Sequence, residues 1–351
     1  MSAALQHYGL VPFFSQQLAG ADLDQNRLAR VTSVQRSQST VICAAGKRSV
    51  ELSAALQRAA AVDRPTVGDW VVLDESLDRI EKVLERRSLF KRVGAGGGTE
   101  IQPIAANIDI LFIVTSCNEE FKESRLERYL AMCADAGAMP VIVLSKADLS
   151  DDADAYARRA RRVQSGVAVE TCNALDPATL DGVRAWIDDA TTVALVGSSG
   201  VGKSTLLNAL AGDSLAATSE IREQDKKGRH TTTHRELHRL PSGGLVIDVP
   251  GMRELRLAEV EQSIEAVFDD IEQLARQCQF ADCRHEAEPG CAVLRAVEQG
   301  RLDHRRLNNY RKLRRENALA TATLAEKRAR DRDFGKMVKQ AKLLKQRKDN
   351  I

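Results

Sequence analysis

Short segments that alternate hydrophobic and polar positions dominate the chain from residue 30 to about residue 86. Glycine, proline or aspartate separates these segments, as is typical of short β-strands joined by turns. The segments read RVTSVQ, STVICAA, SVELS, GDWVVLD and RIEKVLE. Five such strands predict a small β-barrel over residues 30–88, of the oligonucleotide-binding (OB) type. An SH3-like barrel would give the same pattern, and residues 1–29 precede it as an N-terminal extension.

After Pro103 the pattern changes to long apolar runs that alternate with amphipathic segments. The apolar runs IDILFIVTS, MPVIVLS, TTVALVG and GGLVIDV predict buried strands. The segments ESRLERYLAMCADAG, ATLDGVRAWIDD and STLLNALAG predict helices between them. This alternation predicts an α/β domain over residues 91–258, with a parallel sheet covered by helices on both faces. A helical domain over residues 259–310 and a basic tail over residues 311–351 follow.

Composition narrows the class of protein. With 43% hydrophobic and 28% charged residues, the 351-residue chain has the composition of a globular protein. No apolar run approaches the length of a membrane span, and the N-terminus lacks the basic start of a secretory signal, so we expect a cytoplasmic protein. Residues 301–351 hold 17 Lys and Arg against 6 Asp and Glu, whereas the first 300 residues hold 34 against 43. This asymmetry favours an anionic partner for the C-terminal end, although a basic run can also be a solvated face.

The segment GSSGVGKS fits the phosphate-loop pattern GxxxxGK[ST] between a predicted strand and a predicted helix. Its glycines let backbone N–H groups turn toward phosphates, Lys203 reaches the β and γ oxygens, and Ser204 can ligate Mg²⁺. Asp248 ends a later strand in the segment DVPG, where it can hold Mg²⁺, and Gly251 can donate its N–H to the γ-phosphate. The loop residues predicted to bind nucleotide are Val196, Gly197, Ser198, Ser199, Gly200, Val201, Gly202, Lys203 and Ser204.

A second motif is predicted to recognise the base of the nucleotide. Residues Ser145, Lys146, Ala147 and Asp148 follow a predicted strand and resemble the guanine-reading motif NKxD of GTPases. Asp148 can accept hydrogen bonds from N1 and N2 of guanine, whereas adenine would leave its carboxylate unpaired. Ser145 replaces the usual Asn, and we expect it to lose a base contact and a brace to the phosphate loop, which would lower affinity. The alternative is a polar turn that only closes a strand.

The order of the motifs predicts a circular permutation. In ordinary GTPases the phosphate loop precedes the base-reading motif, but here it follows by about fifty residues. Such a permutation is tolerated because the termini of a domain are usually close in space. The segment after Gly251 then leads directly into the C-terminal region, so loss of the γ-phosphate can act on that region. The segment 171–173 is a weak candidate for a loop that supports the base motif.

Two further positions concern hydrolysis. The segment GRHTTT occupies the place of switch I. One of its three threonines would complete the Mg²⁺ shell. Thr232 is taken as the candidate, although the sequence does not choose among the three. Met252 stands where Ras-like enzymes carry a water-orienting Gln, so we expect slow intrinsic hydrolysis. His230 could position the water, a partner could complete the site in trans, or His230 could be a switch residue without a chemical role.

A cluster of potential metal ligands lies near the C-terminus. Cys278, Cys283, His285 and Cys291 fall within fourteen residues. Three thiols and one imidazole suit tetrahedral Zn²⁺ with no open position, so the sequence predicts one structural zinc ion. A chance grouping of thiols is the alternative, and the CxxC pair of a redox site is absent from the sequence.

Taken together, these motifs resemble those of the bacterial circularly permuted GTPases of the RsgA family. VGSSGVGKSTLLNAL, GRHTTT, DVPG and CQFADCRHEAEPGCAV carry the resemblance, which spans about residues 30–310. The resemblance implies a multidomain fold with an OB barrel, a permuted P-loop GTPase domain and a zinc-binding helical domain. It implies a largely monomeric GTPase that is stimulated by the small ribosomal subunit and releases itself or other assembly factors after hydrolysis. Contact with rRNA phosphates is predicted instead from the barrel at one end of the chain and the basic tail at the other.

Two rival functions remain open at this point. An RNA-binding scaffold that holds nucleotide with negligible turnover is consistent with Met252 and Ser145. A P-loop kinase or ATPase is disfavoured by Asp148 and by the lack of an Asp-Glu pair after the strand LVI.

Overall fold

In the computed structural model, the described residues are 3–18, 25–35, 38–93, 101–212, 235–248 and 260–321. They form an N-terminal barrel, a central α/β sheet and a C-terminal group of helices. Two short helices, α1 (Ala3–Gln6) and α2 (Pro12–Gln16), come first. None of the helices in the described ranges is both long enough and apolar enough to span a bilayer.

Five strands close the barrel. They are β1 (Leu28–Val34), β2 (Ser39–Cys43), β3 (Gly46–Leu52), β4 (Trp70–Leu73) and β5 (Arg79–Val83). Their order is β1-β2-β3-β5-β4, and β4 pairs again with β1. Strands β3 and β5 run parallel, and helix α3 (Ala54–Arg58) lies in the connection between β3 and β4. This closed order confirms the predicted OB-type barrel.

The N-terminal segment packs against the barrel. Leu5, Leu10 and Phe14 are buried together with Trp70 of β4, and the rings of Phe14 and Trp70 lie 5.6 Å apart. Burial of these apolar side chains is the force that holds the first helices in place. A two-stranded hairpin, β6 (Leu89–Val93) and β7 (Ile101–Ala106), then leads from the barrel to the central sheet.

Six strands form the central sheet. They are β8 (Ile110–Ser116), β9 (Met139–Ser145), β10 (Ala168–Thr171), β11 (Thr192–Val196), β12 (Glu236–Arg239) and β13 (Leu245–Asp248). Their order is β10-β9-β8-β11-β13-β12, and only β12 is antiparallel to its neighbour β13 within this set. The predicted parallel sheet is therefore confirmed.

Helices cover both faces of this sheet, as the sequence predicts. They are α4 (Glu123–Ala136), α5 (Ala153–Arg161), α6 (Asp181–Arg184) and α7 (Lys203–Ala211). Along β8, Leu111 and Ile113 pack in the same core as α4, whereas Phe112 packs in the core of α7. The period of two residues in a strand makes this alternation necessary. Helix α4 ends at Ala136, and Gly137 caps it in the left-handed conformation.

The helix predicted over residues 178–189 is much shorter in the structure. Only α6 is α-helical there, and a 3₁₀ turn begins at Pro177. The carboxylate of Asp188 accepts the N–H groups of Ala190 and Thr191, which ends the segment in a turn before β11. Local hydrogen bonds of this kind compete with helix formation.

Within residues 260–321 of the C-terminal region, the structure has four helices: α8 (Glu261–Val267), α9 (Asp269–Ala275), α10 (Ala292–Glu298) and α11 (His304–Thr321). Their apolar residues share one core with α4, in which Ile264, Phe268 and Leu307 are buried together with Leu126 and Leu130. Helix α11 runs continuously through residue 310, where the sequence analysis placed the start of the tail. Residues 322–351 of the tail lie outside the described ranges.

Candidate nucleotide and metal sites

The phosphate loop connects β11 to α7 at the carboxyl edge of the sheet. Gly197 has φ 147°, and a Cβ atom at this position would lie 2.1 Å from the carbonyl oxygen of Val114 in β8. No side chain fits there, so the first residue of the loop must be glycine. The glycine pattern read from the sequence thus has a steric cause in the neighbouring strand.

Lys203 and Ser204 begin helix α7, directly after the loop. The Nζ atom of Lys203 lies 2.9 Å from the carbonyl oxygen of Gly197 and also donates to the carbonyl oxygen of Ser198. Ser204 is exposed at the first turn of the helix. The positive end of the α7 dipole and the lysine charge therefore meet at the place where phosphates are predicted to bind.

The base-reading motif is hydrogen-bonded to this loop. The hydroxyl of Ser145 lies 2.5 Å from the carbonyl oxygen of Val201 and 3.1 Å from that of Thr115. The Nζ atom of Lys146 donates to the carbonyl oxygen of Gly200 at 2.7 Å. The expectation that Ser145 loses the brace to the phosphate loop is therefore wrong. Although its side chain is short, β9 ends beside the loop, so the hydroxyl still reaches the carbonyl oxygen of Val201.

Asp148 is exposed in a 3₁₀ turn that follows β9. The turn is held by the segment 171–173, since the N–H of Ala147 donates to the carbonyl oxygen of Cys172 at 3.3 Å. Cys172 in turn donates its N–H to the carbonyl oxygen of Leu144 at 2.8 Å. The structure thus brings the weak candidate segment 171–173 beside the base motif, as a supporting loop requires.

Asp248 ends β13, the strand next to β11. Since both strands are parallel and end at the same edge, the carboxylate and the phosphate loop lie on the same side of the sheet. His230, Thr232, Gly251 and Met252 are outside the described residues. Their predicted roles in the switches therefore stay predictions.

One side chain at the loop was missed in the sequence. Arg125, in the first turn of α4, donates to the hydroxyl of Ser198. Arginine at the start of an amphipathic helix has the same pattern as a solvated surface residue. Only the fold reveals the contact, because 73 residues separate the two partners.

The four predicted metal ligands come together in the C-terminal region. Their ligand atoms all lie within 4.8 Å of one another. The Nδ1 atom of His285 is 3.6 Å from the sulfur of Cys278 and 3.5 Å from that of Cys291, and these two sulfurs are 3.8 Å apart. Tetrahedral zinc with ordinary bond lengths requires about 3.8 Å between sulfurs and about 3.6 Å between sulfur and nitrogen. The donor set and its spacing therefore fit a metal ion such as Zn²⁺.

Helix α10 prepares two of these ligands. The sulfur of Cys291 caps the helix and accepts the N–H of Leu294 at 3.4 Å. Burial opposes ionisation of Cys278, but hydrogen bonds from the N–H groups of Ala292 and Val293 and from the thiols of Cys291 and Cys283 outweigh it and lower the pKa of this thiol. Burial and the two neighbouring thiols instead raise the pKa of Cys283 to about 12. Burial also lowers the pKa of His285, which favours the neutral imidazole. Thiolate and neutral imidazole are the forms that bind metal.

Comparison with known proteins identifies the family. The model of the RsgA GTPase family matches residues 83–258. The chain belongs to the RsgA GTPase family. It is 47% identical over 338 residues to the small ribosomal subunit biogenesis GTPase RsgA 2 of Vibrio parahaemolyticus, covering 96% of this chain and 92% of that protein. It is 44% identical over 319 residues to the RsgA protein of Mesorhizobium japonicum, covering 90% of each.

Solved structures share the fold of this RsgA family member. The crystal structure of YjeQ from Thermotoga maritima aligns with a TM-score of 0.60 and 25% identity, covering 82% of this chain and 96% of YjeQ. YloQ, described as a circularly permuted GTPase, aligns with a TM-score of 0.58 and 24% identity, covering 87% and 99% of the two chains. The predicted permuted fold is thus confirmed. An ABC transporter family model also matches residues 180–347, a range that includes the phosphate loop common to P-loop proteins.

Proposed function

We propose that this protein is a GTP hydrolase that acts in assembly of the small ribosomal subunit. The observation that carries the proposal is the hydrogen bond between the two nucleotide motifs. The hydroxyl of Ser145 donates to the carbonyl oxygen of Val201 at 2.5 Å. It sets the base-reading turn at a fixed place relative to the phosphate loop. The relatives in the RsgA family that are named as small ribosomal subunit biogenesis GTPases supply the ribosomal role. The family does not favour the alternative of a scaffold without turnover.

In this proposal each motif residue has one task. Asp148 accepts hydrogen bonds from guanine, and Lys203 pairs with the β and γ phosphates. Ser204, Asp248 and Thr232 are the candidate protein ligands for Mg²⁺, which neutralises phosphate charge when it is bound with GTP. Gly251 donates its N–H to the γ-phosphate.

Met252 places a limit on activity without a partner. A thioether cannot orient the attacking water, so hydrolysis by the isolated protein is expected to be slow. We infer that the small subunit completes the site and stimulates turnover, and His230 is the residue of this chain proposed to position the water. Contact of the barrel and the basic tail with rRNA phosphates would bring the enzyme, as a monomer, to the subunit in the cytoplasm. One zinc ion would stabilise the C-terminal helices.

The test is GTP hydrolysis by the purified protein, alone and with purified small subunits. ATP serves as the control nucleotide and Lys203→Ala as the inactive control. We expect subunits to accelerate GTP turnover strongly and Lys203→Ala to abolish it. Asp148→Asn should shift preference from guanosine toward xanthosine triphosphate, because the exchange of an acceptor for a donor matches the oxygen at C2 of xanthine. Negligible turnover with subunits, while GTP still binds, would show that the protein is a nucleotide-gated scaffold.

A further inference from the structure

Helix α4 touches the phosphate loop through Arg125. Its guanidinium donates to the hydroxyl of Ser198 and, at 3.2 Å, to the carboxylate of Glu120. The carbonyl of the same Ser198 accepts a hydrogen bond from Lys203. Ser198 therefore has a hydrogen bond on each side. Arg125 of α4 binds its hydroxyl, and Lys203 of α7 binds its backbone carbonyl oxygen.

The same helix is fixed at its other side by the C-terminal helix α11. Glu127 of α4 is fully buried, and its carboxylate oxygens accept hydrogen bonds from Arg305 at 3.1 and 3.2 Å. Arg306 donates to it at 3.0 Å, and the side-chain amide of Asn309 donates as well. Removing one partner of a buried carboxylate is costly, so α4 cannot move away from α11 without a large loss of free energy.

Arg306 extends this attachment to the other C-terminal helices. It pairs with Asp270 of α9 at 2.7 Å and donates to the carbonyl oxygen of Val267 in α8 at 2.9 Å. Its guanidinium also lies 4.7 Å from the ring centroid of Phe268. One side chain of α11 thus joins α8, α9 and the Glu127 carboxylate of α4, and the C-terminal helices act on α4 as one packed unit.

From these contacts we propose that Arg125 is a positioning residue that holds the phosphate loop through Ser198, and that α11 sets the position of Arg125 by anchoring α4 at Glu127. The C-terminal helices then control nucleotide affinity through α4, independently of the chain connection that follows Gly251. The inference rests on the proposed function for the identity of the nucleotide. Arg125 acts on the loop and not on the reacting phosphate, because its partner is a loop hydroxyl.

A double-variant cycle tests the contact between α4 and the loop. Binding of fluorescent GDP and GTP is measured for Arg125→Met, Ser198→Ala and the double variant. We expect Arg125→Met to weaken both nucleotides alike by about tenfold, the value of one charge-assisted hydrogen bond. Ser198→Ala should weaken binding in the unmodified protein but cause no further loss when Arg125 is already replaced. Arg158→Met, an exposed arginine on α5, is the matched control and should bind as the unmodified protein does.

Two results would overturn this assignment. Ser198→Ala could weaken binding equally with and without Arg125, which would mean that the two side chains act separately. Alternatively, Arg125→Met could slow single-turnover hydrolysis at saturating GTP while GDP affinity stays unchanged. Arg125 would then act on the transferred phosphoryl group instead of positioning the loop.

The anchoring of α4 is tested with Arg305→Met, which removes one of the two arginines at Glu127 and leaves Arg306 in place. We expect nucleotide affinity to fall about threefold, since part of the attachment remains, and no further loss when Arg125 is already replaced. Arg315→Met, an exposed position on the same helix, should leave affinity unchanged. A lower unfolding temperature with unchanged affinity would limit Arg305 to a structural role and contradict the coupling.

The unmodified protein and Lys203→Ala separate this inference from the proposed function. If the unmodified protein does not bind guanine nucleotides, the proposed function is wrong. If it binds them and Lys203→Ala does not, while the α4 variants bind normally, the proposed function stands and only the role of α4 is wrong.

Discussion

At the scale of single residues, one hydroxyl joins the base-reading turn to the phosphate loop. Ser145 is buried, and its single proton is shared between the carbonyl oxygens of Val201 and Thr115. An asparagine amide at this position would carry two protons but would need more room between β9 and the loop. The short serine hydroxyl reaches the loop carbonyl of Val201 directly, at 2.5 Å.

Ser145→Ala should weaken GDP binding about fivefold and lower the free energy of unfolding by about 1 kcal/mol, because the carbonyl of Val201 loses its partner in a buried place. Nucleotide titration and urea unfolding measure the two effects. Ser165→Ala removes an exposed hydroxyl and is the matched control. Unchanged affinity in Ser145→Ala would show that the bond does not position the loop.

How far the site could be predicted depends on the distance between partners along the chain. Gly197 to Ser204 and the four metal ligands were predictable, because each group lies within one short segment whose spacing is set by its ligand. The contact between Arg125 and Ser198 and the brace from Ser145 to Val201 join residues that are 73 and 56 positions apart. These depend on the packing of helices and strands, which no local pattern encodes.

At the scale of helices and strands, the metal cluster connects α9 to α10. Cys278 follows α9 and Cys291 caps α10, while the loop between them carries Cys283 and His285. The buried His285 has φ 60°, so the loop is in a strained conformation at a ligand position. A bound ion would compensate for this strain, since structural zinc contributes roughly 10 to 16 kcal/mol in small zinc domains.

Removal of the metal should therefore unfold this part of the chain first. We expect one zinc ion per chain by elemental analysis in the unmodified protein, and none in Cys283→Ala. Chelation should lower the far-UV helical signal of the C-terminal helices while the parallel sheet remains folded. Cys43→Ala, which removes a thiol of the barrel, should keep its full zinc content. Equal zinc content in both variants would argue against the Cys₃His site.

The turn before β4 shows a constraint between elements that the sequence did not reveal. Gly68 has φ 90°, and a Cβ atom there would lie 2.1 Å from the carbonyl oxygen of Ala106, at the end of β7. The backbone of the barrel at Gly68 and the backbone of the hairpin β6–β7 at Ala106 are therefore so close that no side chain fits between them. In the sequence this glycine is only the first residue of the predicted strand segment GDWVVLD.

Gly68→Ala should lower the free energy of unfolding by roughly 3 kcal/mol or more, since backbone strain and a backbone clash add. Gly166→Ala is the matched control, because Gly166 has φ 76° but no neighbouring atom within 4 Å of the added Cβ. Its cost should be limited to about 1 kcal/mol of left-handed strain. Urea unfolding of both variants measures the difference, and equal losses would contradict the close approach.

The elements themselves were predicted well where the pattern was long. Helix α4 and the strands β8, β9, β11 and β13 coincide with predicted segments, because a buried strand or an amphipathic helix leaves a clear apolar period. Helix α5 and strand β10 were not assigned. Helix α5 is rich in arginine and alanine, and only Ala157 and Ala160 are buried, so its apolar face is narrow.

At the scale of the whole molecule, Arg30 joins the barrel to the central sheet. This side chain of β1 is 1% exposed, and its guanidinium donates to Tyr8, Gly68, Asn107 and Thr192. The partners belong to the N-terminal segment, the turn before β4, the residue after β7 and the start of β11. Burial lowers the pKa of Arg30 to about 10, while Asp109 and Asp69 act in the opposite direction. The arginine therefore remains charged at neutral pH.

Arg30→Met should loosen the barrel from the sheet, because the carbonyl oxygens of Tyr8 and Asn107 lose their guanidinium donor and that of Gly68 keeps only the Asn107 amide, while the apolar volume is kept. We expect a loss of about 3 kcal/mol in the free energy of unfolding.

Trp70 of the barrel reports on the barrel alone once Trp186 is replaced by phenylalanine. In that background, Trp70 fluorescence and far-UV circular dichroism should follow one common transition with Arg30 present. With Met at position 30, the fluorescence transition should come at lower denaturant concentration. Arg58→Met, an exposed arginine at the end of α3, should leave the two transitions coincident. Coincident transitions in Arg30→Met would mean that other contacts, such as the pairing of β1 with β12 at Ser33 and Glu236, and not this guanidinium, hold the two parts of the molecule together.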